Sequence, residues 1–233
     1  MISHKLILLA AGRGSRLGNR TLDIPKCLNT YNNKPLIQHI IDSASAFENI
    51  NEIVVIGGYK VDLLRQFSCK ILENNNWENT GPFGTLSIAS ELLSNHPCII
   101  SYTDIYFSEN FLNESLNFDT DIYVPSNVNF LDSWENRNIN ILEDIETFNY
   151  EGDVLTEIGG KSNSLSNIKG QFAGIFKTKP NGWHQLFEVS KTVEEKKLDI
   201  TSLLSSAIKL GVKINTSQVS GYWKEFDLPE DFR

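Results

Sequence analysis

Apolar residues in the first half of the chain recur in short blocks that are separated by polar or glycine-bearing loops. Blocks at 5–10, 52–56 and 98–102 have the length and composition of buried strands. Between the first two, apolar positions recur at helical spacing from Leu36 to Phe47 behind Pro35, a residue that favours a helix start. This alternation predicts a parallel sheet with helices on both faces.

Weaker patterns extend the same alternation. Strands are expected over 69–72 and 121–125, and helices over 61–67, 85–93 and 107–116.

The second half changes character. Residues 138–148 and 154–158 predict two paired antiparallel strands, with Gly152 near the turn. Further strands are expected over 171–177, 212–219 and 222–226, and helices over 183–191 and 200–210, the last one closed by Gly211. An antiparallel ribbon inserted into an α/β core explains this pattern, and nothing in the composition separates two independent domains.

Composition and charge narrow the class of protein. The chain has 233 residues and a net charge of −8, which disfavours a general nucleic-acid binder. Nucleic acid is therefore not an expected partner. No run approaches the ~18 apolar residues of a membrane span, so a membrane is not an expected partner either. Cys27, Cys69 and Cys98 are odd in number and lack C-x-x-C spacing. They indicate a reducing compartment, which we take to be the cytoplasm.

The first strand runs into a glycine-rich loop, "AAGRGSRLG", that fits neither of two common phosphate-binding motifs. A Walker loop requires a Lys-Ser or Lys-Thr pair after its glycines, and none is present. A dinucleotide fingerprint requires G-x-G-x-x-G, but Leu17 holds the third glycine position and Gly18 comes one residue late. Arg13 and Arg16 indicate a ligand more anionic than a pyrophosphate. The loop therefore predicts a triphosphate site, against the plainer alternative of an ordinary strand-to-helix turn.

Three charged residues outside the loop are expected near the same end of the sheet. Lys26 follows Pro25 in "IPKCL", Asp104 follows the strand 98–102, and Asp227 lies in "GYWKEFD". Ligands of open α/β sheets bind beyond the carboxyl ends of the strands. Two carboxylates that converge on a triphosphate would make a Mg²⁺ site, whereas a single one is often only a helix cap.

These segments together resemble the nucleotidyltransferases that activate phosphorylated sugars and small alcohols. "LAAGRGSRLG" followed by "PKCL" is similar to the family's opening signature, and "GPFGTLSIA" to its nucleoside segment. "YTDIYF" resembles the metal-binding G-D-x-x-F segment, with Thr103 in place of Gly. "EIGGKSNSLSNIKGQFAGIFK" and "YWKEFDLPEDF" resemble its later segments, in the family's order. The resemblance implies an α/β fold with a mostly parallel Rossmann-like (GT-A-like) sheet and an inserted antiparallel β ribbon.

It also implies roles for individual residues. The chain would be one domain over 1–233, with a nucleotide half of about 1–120 and an acceptor half of about 121–233. Arg16, Lys26 and Lys161 match catalytic positions, the last more loosely because the segment reads G-G-K. Asp104 and Asp227 match the ligands of Mg²⁺. The implied nucleotide-binding residues are Leu9, Ala10, Ala11, Gly12, Arg13, Gly14, Ser15, Arg16, Lys26, Asn79, Thr80, Gly84, Thr85 and Asp104, and the implied acceptor-binding residues are Arg137, Lys161, Gln171 and Glu225.

The implied reaction joins a nucleoside monophosphate to a phosphorylated acceptor and releases pyrophosphate. The sequence resembles the cytidylyltransferase branch in its short length, its lack of an E-K-P motif, and its "IGGK…KGQFAG" and "DITSLL" segments. CTP and a small phosphate or phosphonate acceptor are therefore the expected partners, with a homodimer as an open possibility. A hexose-1-phosphate nucleotidylyltransferase using dTTP, UTP or GTP and an inactive nucleotide-binding regulatory module remain alternatives. Trp134, Phe148, Tyr150, Phe172 and Trp223 could supply a cage for an ammonium group or could simply be core residues.

Overall fold

Strands and helices alternate through the first half of the computed structural model, which describes residues 2–134 and 141–232. The strands are β1 His4–Ala10, β2 Thr30–Tyr31, β3 Lys34–Pro35, β4 Ile50–Gly57, β5 Lys70–Glu73, β6 Cys98–Tyr102, β7 Ile105–Phe107, β8 Ile122–Tyr123, β9 Ser126–Asn127, β10 Phe148–Glu151, β11 Val154–Ile158, β12 Gln171–Phe172, β13 Ile175–Thr178, β14 Gln218–Val219 and β15 Trp223–Glu225. The helices are α1 Leu36–Ser45, α2 Pro82–Leu86, α3 Ser90–Asn95, α4 Asn110–Asn117, α5 Ile141–Asp144, α6 Pro180–Ser190 and α7 Ile200–Lys209. Short 3-10 helices connect several of them, among them Ser15–Thr21, Lys26–Leu28 and Val61–Gln66.

The main sheet has the order β5-β4-β1-β6-β13-β8. The first four strands are parallel neighbours, and β13 is antiparallel to β6 and to β8. The chain runs outward from β1 through β4 to β5 and then returns to the other side of β1 as β6. The mostly parallel α/β sheet expected from the sequence is confirmed, with its switch point at β1.

Helices cover both faces of this sheet. On one face α1 buries Leu36, Ile37, Ile40 and Ala44, and three of these join a core that includes Leu6 and Leu8 of β1. On the other face α6 and α7 pack over Ile7. The alternation of β1 side chains between the two cores follows from the period of two in a strand, and burial on both faces accounts for its continuous apolar run.

The inserted ribbon is confirmed as the antiparallel hairpin of β10 and β11, but the predicted strand 138–148 is wrong. In its described part the chain forms helix α5, and the strand begins only at Phe148. The amide of Ile145 donates to the carbonyl of Ile141 at 2.9 Å, which closes a helical turn. Ile145 is then buried with Phe130, Trp134 and Ile168 in a small separate cluster.

Several other predicted elements are shorter than expected, among them the following three. The strand 171–177 is split at Gly174, whose φ of 74° redirects the chain, so that β12 pairs with β9 and β13 with β6. The helix 107–116 begins at Asn110, because residues up to Phe107 are taken by β7. The strand 212–219 is reduced to β14, and Asn215 ahead of it bonds through its side chain to Thr120 and Asp153.

A small antiparallel ribbon of β7 and β15 fastens the C-terminal segment to the end of β6. Glu225 lies opposite Ile105, and the amide of Phe226 donates to the carbonyl of Asp104 at 2.9 Å. This pairing carries the following residue, Asp227, to the edge where β6 ends. Within the described ranges, no helix is both long and apolar enough to cross a membrane.

Candidate active site

A cleft of about 390 Å³ opens at the carboxyl ends of β1 and β6, where open α/β sheets bind ligands. It is lined by Leu9, Ala10, Ala11, Gly12, Gly14, Arg16, Lys26, Cys27, Trp77, Thr80, Gly81, Pro82, Thr85, Tyr102, Thr103, Asp104, Glu225 and Asp227. Ten of the residues predicted to bind the nucleotide are in this set. The cleft is large enough for a nucleotide-sized ligand.

The glycine-rich loop and Lys26 are packed directly together. Gly14 has a φ of 74°, and a Cβ at this position would lie 2.7 Å from the Cβ of Lys26. The hydroxyl of Thr21 donates to the carbonyl of Gly14 at 3.1 Å and so closes the loop from its far end. Both the left-handed backbone and the close approach require glycine here.

Lys26 joins the two candidate metal ligands. Its Nζ donates to Oδ2 of Asp104 and to Oδ1 of Asp227, each at 2.6 Å, and its side chain is only 11% exposed. Burial by itself would lower the pKa of the ammonium, but the two carboxylates outweigh it and raise the pKa above the usual lysine range. Arg16 reaches the same site from the mouth of the cleft, with Nη1 3.0 Å from Oδ2 of Asp227.

Hydrogen bonds beside Asp104 and at the backbone of Asp227 hold the two carboxylate-bearing segments in place. Beside Asp104, the buried hydroxyl of Thr103 donates to the carbonyl of Leu9 at 2.8 Å and ties the end of β6 to β1. The amide of Asp227 donates to the buried carboxylate of Asp231 at 2.8 Å. Thr103 occupies the position where the family pattern has glycine, and its hydrogen bond to β1 helps to position the neighbouring Asp104.

Asp104 and Asp227 fit a hard divalent cation. One oxygen of each carboxylate contacts the same ammonium, so the two oxygens already face a single cationic centre. Mg²⁺ is commonly held by one or two carboxylates, with phosphate oxygens and water completing the shell. Across the described parts of the chain, no group of three or more His, Cys, Asp or Glu could hold a metal by itself.

The far wall of the cleft is uncharged. Thr80 and Thr85 line it as predicted, and Asn74 binds both hydroxyls through its Nδ2, at 2.8 and 3.0 Å. Four predicted nucleotide residues, Arg13, Ser15, Asn79 and Gly84, are not in the lining. Arg13 instead donates to the carbonyl of Thr21, and Asn79 bonds to Asn76.

A second cavity, of about 310 Å³, adjoins the cleft. The two share Arg16, Tyr102, Glu225 and Asp227. The other lining residues of the second cavity are Ile105, Trp134, Asp144, Glu146, Thr147, Gln171, Phe172, Gly174, Asp199, Thr201 and Trp223. The cleft and the second cavity thus meet at the carboxylate of Asp227.

The predicted acceptor residues divide into three groups. Glu225 and Gln171 line the second cavity, and Oε1 of Gln171 is buried without a hydrogen-bond partner among the described residues. Lys161 lines a different cavity, and its Nζ donates to the carbonyls of Glu143 and Asp144 at 3.1 and 3.5 Å. Arg137 lies outside the described residues.

Several lining residues were missed by sequence reasoning. Trp77 lies in the polar loop "ENNNWENTGP", where a lone tryptophan among asparagines was an available signal for a binding residue. Glu146 and Asp199 line the second cavity. Burial raises the pKa of Glu146, with the nearby Asp199 adding to the shift. Glu146 belongs to no motif that was recognised in the sequence. Asp199 begins the segment "DITSLL", which was used only to choose the branch and not as a site.

The fold and the cleft define an α/β nucleotide-binding protein with its ligand site at the sheet switch point. The model of the MobA-like NTP transferase domain matches residues 6–129, which is more than half of the chain and includes the glycine-rich loop, Lys26 and Asp104. The chain therefore belongs to the MobA-like NTP transferase family and is a nucleotidyltransferase.

Curated relatives extend the likeness to the rest of the chain. The CTP:phosphoglutamine cytidylyltransferase of Campylobacter jejuni is 28% identical over 97% of this chain and 96% of its own length. The choline-phosphate cytidylyltransferase of Streptococcus pneumoniae is 32% identical over 50% of this chain and 51% of its own length.

Solved structures show the same fold. The inositol-1-phosphate CTP transferase of T. maritima has a TM-score of 0.79 at 16% identity, covering 100% of this chain and 93% of its own. A putative glucose-1-phosphate thymidylyltransferase of Bacillus anthracis has a TM-score of 0.76 at 20% identity, covering 98% and 92%. At these identities the likeness describes architecture alone.

Proposed function

We propose that this enzyme transfers CMP from CTP to a small phosphorylated or phosphonate acceptor and releases pyrophosphate. The observation that carries the proposal is the meeting of two cavities at Asp227, with Arg16 and Lys26 bound to its carboxylate. A two-substrate transfer needs two adjoining sites with cationic groups at their junction. The choice of CTP is supported by the cytidylyltransferases among the relatives.

In this proposal the backbone of the glycine-rich loop and Arg16 hold the triphosphate, and Lys26 lies between the two substrates. The loop amides from Gly12 to Gly14 are suited to cradle phosphate oxygens, because backbone amides in such turns form anion-binding concavities. The side chain of Arg16 is 68% exposed at the mouth of the cleft, where its guanidinium can move from Asp227 to a phosphate. The half of the chain up to about residue 120 would thus serve mainly the nucleotide.

Asp104 and Asp227 would hold Mg²⁺ together with the phosphates. When bound, the cation would neutralise charge on the triphosphate and on the leaving pyrophosphate. The ammonium of Lys26, now between these carboxylates, would then be available to the phosphate oxygens of CTP and of the acceptor.

The reaction requires positioning rather than a general base. An acceptor phosphate oxygen, already anionic at neutral pH, forms a bond to the α-phosphorus of CTP. The bond from that phosphorus to the bridging oxygen breaks, and the electron pair leaves with pyrophosphate. Because both reactants are anions, charge neutralisation by Arg16 and Lys26 and the alignment of the two substrates should supply most of the rate enhancement.

The walls of the second cavity favour an acceptor that carries an amino or ammonium group. Besides Asp227, the acidic side chains that line it are Asp144, Glu146, Asp199 and Glu225, and its aromatic walls are Tyr102, Trp134, Phe172 and Trp223. Carboxylates attract a cation, and aromatic faces add cation–π attraction. An ammonium group would be attracted by this acidic lining, whereas a neutral hexose has no charge to interact with it. The lining of the second cavity therefore supports the hypothesis of a cytidylyltransferase over that of a hexose-1-phosphate nucleotidylyltransferase.

The free cysteines Cys27, Cys69 and Cys98 are consistent with a reducing compartment, and we propose the cytoplasm.

A panel assay tests the proposal. Pyrophosphate release would be measured with CTP, UTP, dTTP, GTP and ATP against phosphocholine, aminoethylphosphonate, phosphoglutamine and hexose-1-phosphates, with Mg²⁺ present. We expect turnover with CTP and an amine-bearing acceptor. Turnover only with a hexose phosphate would overturn the acceptor assignment. Tight CTP binding with no turnover on any acceptor would favour a regulatory module.

A further inference from the structure

The nucleotide cleft has a charged end and an uncharged end. Its charged lining residues, Arg16, Lys26, Asp104, Glu225 and Asp227, lie on the loop after β1, at the end of β6 or on the segment paired with β7. The lining residues that follow β5 are uncharged: Trp77, Thr80, Gly81, Pro82 and Thr85. In the sheet, β5 and β4 lie on the opposite side of β1 from β6. A nucleotide with its triphosphate at the charged end therefore has its base at the uncharged end.

Trp77 is the aromatic ring at that uncharged end, and its position is fixed by its neighbours. Its indole packs edge-on against Tyr59, with ring centroids 5.4 Å apart. Tyr59 is itself held by two hydrogen bonds: its backbone amide donates to the carbonyl of Ala11 at 2.9 Å, and its hydroxyl donates to the carbonyl of Leu22. A Cβ at Gly58 would lie 2.5 Å from the Cβ of Trp77, so only glycine leaves room for the indole here.

The loop that carries Trp77 is bound to the wall of the cleft. The amide of Trp77 donates to the carbonyl of Asn74, and the amide of Asn76 donates to Oδ1 of the Asn74 side chain at 3.0 Å. Asn74 is 2% exposed, and its Nδ2 binds the hydroxyls of Thr80 and Thr85. One buried side chain therefore joins the tryptophan loop to the two threonines of the uncharged end.

We infer that Trp77 is the platform on which the nucleobase of the bound NTP stacks. The inference rests on the proposed function only in that the cleft binds a nucleoside triphosphate. Stacking on an aromatic face tolerates any base, because every base has a π-face. Trp77 should therefore contribute affinity without choosing between cytosine and uracil, and that choice is left to polar groups around Thr80 and Thr85.

The test separates base binding from phosphate binding. The affinities of CTP, UTP and inorganic tripolyphosphate would be measured by calorimetry for the wild type, Trp77→Phe and Trp77→Ala, with Mg²⁺ present. We expect Trp77→Ala to weaken the binding of CTP and of UTP by a similar factor, roughly 5- to 150-fold, the range that corresponds to loss of one stacked base. Trp77→Phe should lose less. Tripolyphosphate, which has no base, should bind all three proteins alike.

Intrinsic fluorescence gives a second readout that does not depend on the alanine variant folding. CTP should quench part of the wild-type emission, tripolyphosphate should not, and Trp77→Phe should lack that part of the response. Unchanged CTP affinity in Trp77→Ala, or equal quenching in Trp77→Phe and wild type, would overturn the inference. Failure of the wild type itself to bind any NTP would instead overturn the proposed function.

Discussion

The ammonium of Lys26 donates to Oδ1 of Asp227 at 2.6 Å, although the two residues are 201 positions apart in the chain. The same ammonium contacts Oδ2 of Asp104 at 2.6 Å. A lysine thus occupies the space between two carboxylates that are suited to a divalent cation. The predictions on metal and nucleotide binding begin from this contact.

If Asp104 and Asp227 hold Mg²⁺, removing either charge should cost most of the activity. Asp104→Asn and Asp227→Asn keep the shape of the side chain but weaken the attraction for a divalent cation. We expect turnover to fall roughly 100-fold or more in each. Steady-state pyrophosphate release is the measurement, and chelation of the wild type should have the same effect. Asp42→Asn, at an exposed carboxylate bound to Lys34, is the control. Full activity in excess EDTA would contradict the prediction.

The position of Lys26 also predicts how the metal and the nucleotide depend on each other. A divalent cation that enters without NTP must displace a buried ammonium bonded to both carboxylates, so the wild type should bind Mn²⁺ weakly when nucleotide is absent. With CTP present, the phosphates can accept the ammonium and Mn²⁺ binding should tighten. Electron paramagnetic resonance of free Mn²⁺ measures both states.

Lys26→Met tests that dependence directly. The variant should bind Mn²⁺ more tightly than the wild type when nucleotide is absent, and CTP more weakly. Lys34→Met removes an exposed ion pair of the same N–O distance and should change neither. Equal Mn²⁺ binding by Lys26→Met and the wild type without nucleotide would show that the ammonium does not compete with the cation.

The part of the site carried by β1 and β6 could be predicted from sequence because its signals are local. A buried apolar run predicts each strand, and the residues directly after Ala10 and Tyr102 must then lie at one sheet edge. The glycine-rich loop and Asp104 follow from this rule. The expectation for 138–148 failed because the spacing of Ile141 and Ile145 fits a helical turn, which apolar content alone did not distinguish from a strand.

The remainder of the site depends on pairings with no local signal. Asp227 reaches the cleft only through the three-residue strand β15 and its register against β7. Glu146 joins the second cavity because the segment ahead of the hairpin packs around Ile145, and Asp199 joins it at the start of α7. Neither of these placements can be predicted from the hydrophobic periodicity of a short stretch of sequence. A sequence can supply the residue types here, but the tertiary contacts decide which of them meet.

Arg16 and Lys161 should affect different substrates. Arg16 lies in the cleft beside Asp227, so Arg16→Ala should lower kcat sharply with CTP, because it removes a guanidinium aimed at charge that shifts in the transition state. Lys161 binds the carbonyls of Glu143 and Asp144, just ahead of the cavity-lining Glu146. Lys161→Ala should therefore mostly raise the acceptor KM by loosening this segment, with CTP affinity near that of the wild type.

Calorimetric titration of CTP into each variant, beside steady-state kinetics, separates the two effects. Lys169→Ala, at an exposed lysine bound to the carbonyl of Tyr150 on the same hairpin, is the matched control for Lys161. Loss of CTP binding in Lys161→Ala with an unchanged dependence on the acceptor would contradict the assignment of this region to the acceptor.

Lys177 predicts a pH dependence of stability away from the active site. Its side chain is buried, with Nζ bonded to the carbonyl of Phe118, and burial, with a further contribution from Lys179, lowers its pKa from 10.5 to about 8. Between these two values the unfolded chain binds more protons than the folded chain. The free energy of unfolding should therefore rise with pH across this window, by about 3 kcal/mol for this group.

Denaturant unfolding of the wild type and of Lys177→Met from pH 7 to 10.5 measures this increase. The Lys177→Met variant should lack it, whereas Lys213→Met, at an exposed lysine, should keep it. Parallel pH profiles for the wild type and Lys177→Met would show that Lys177 is protonated alike in the folded and unfolded states.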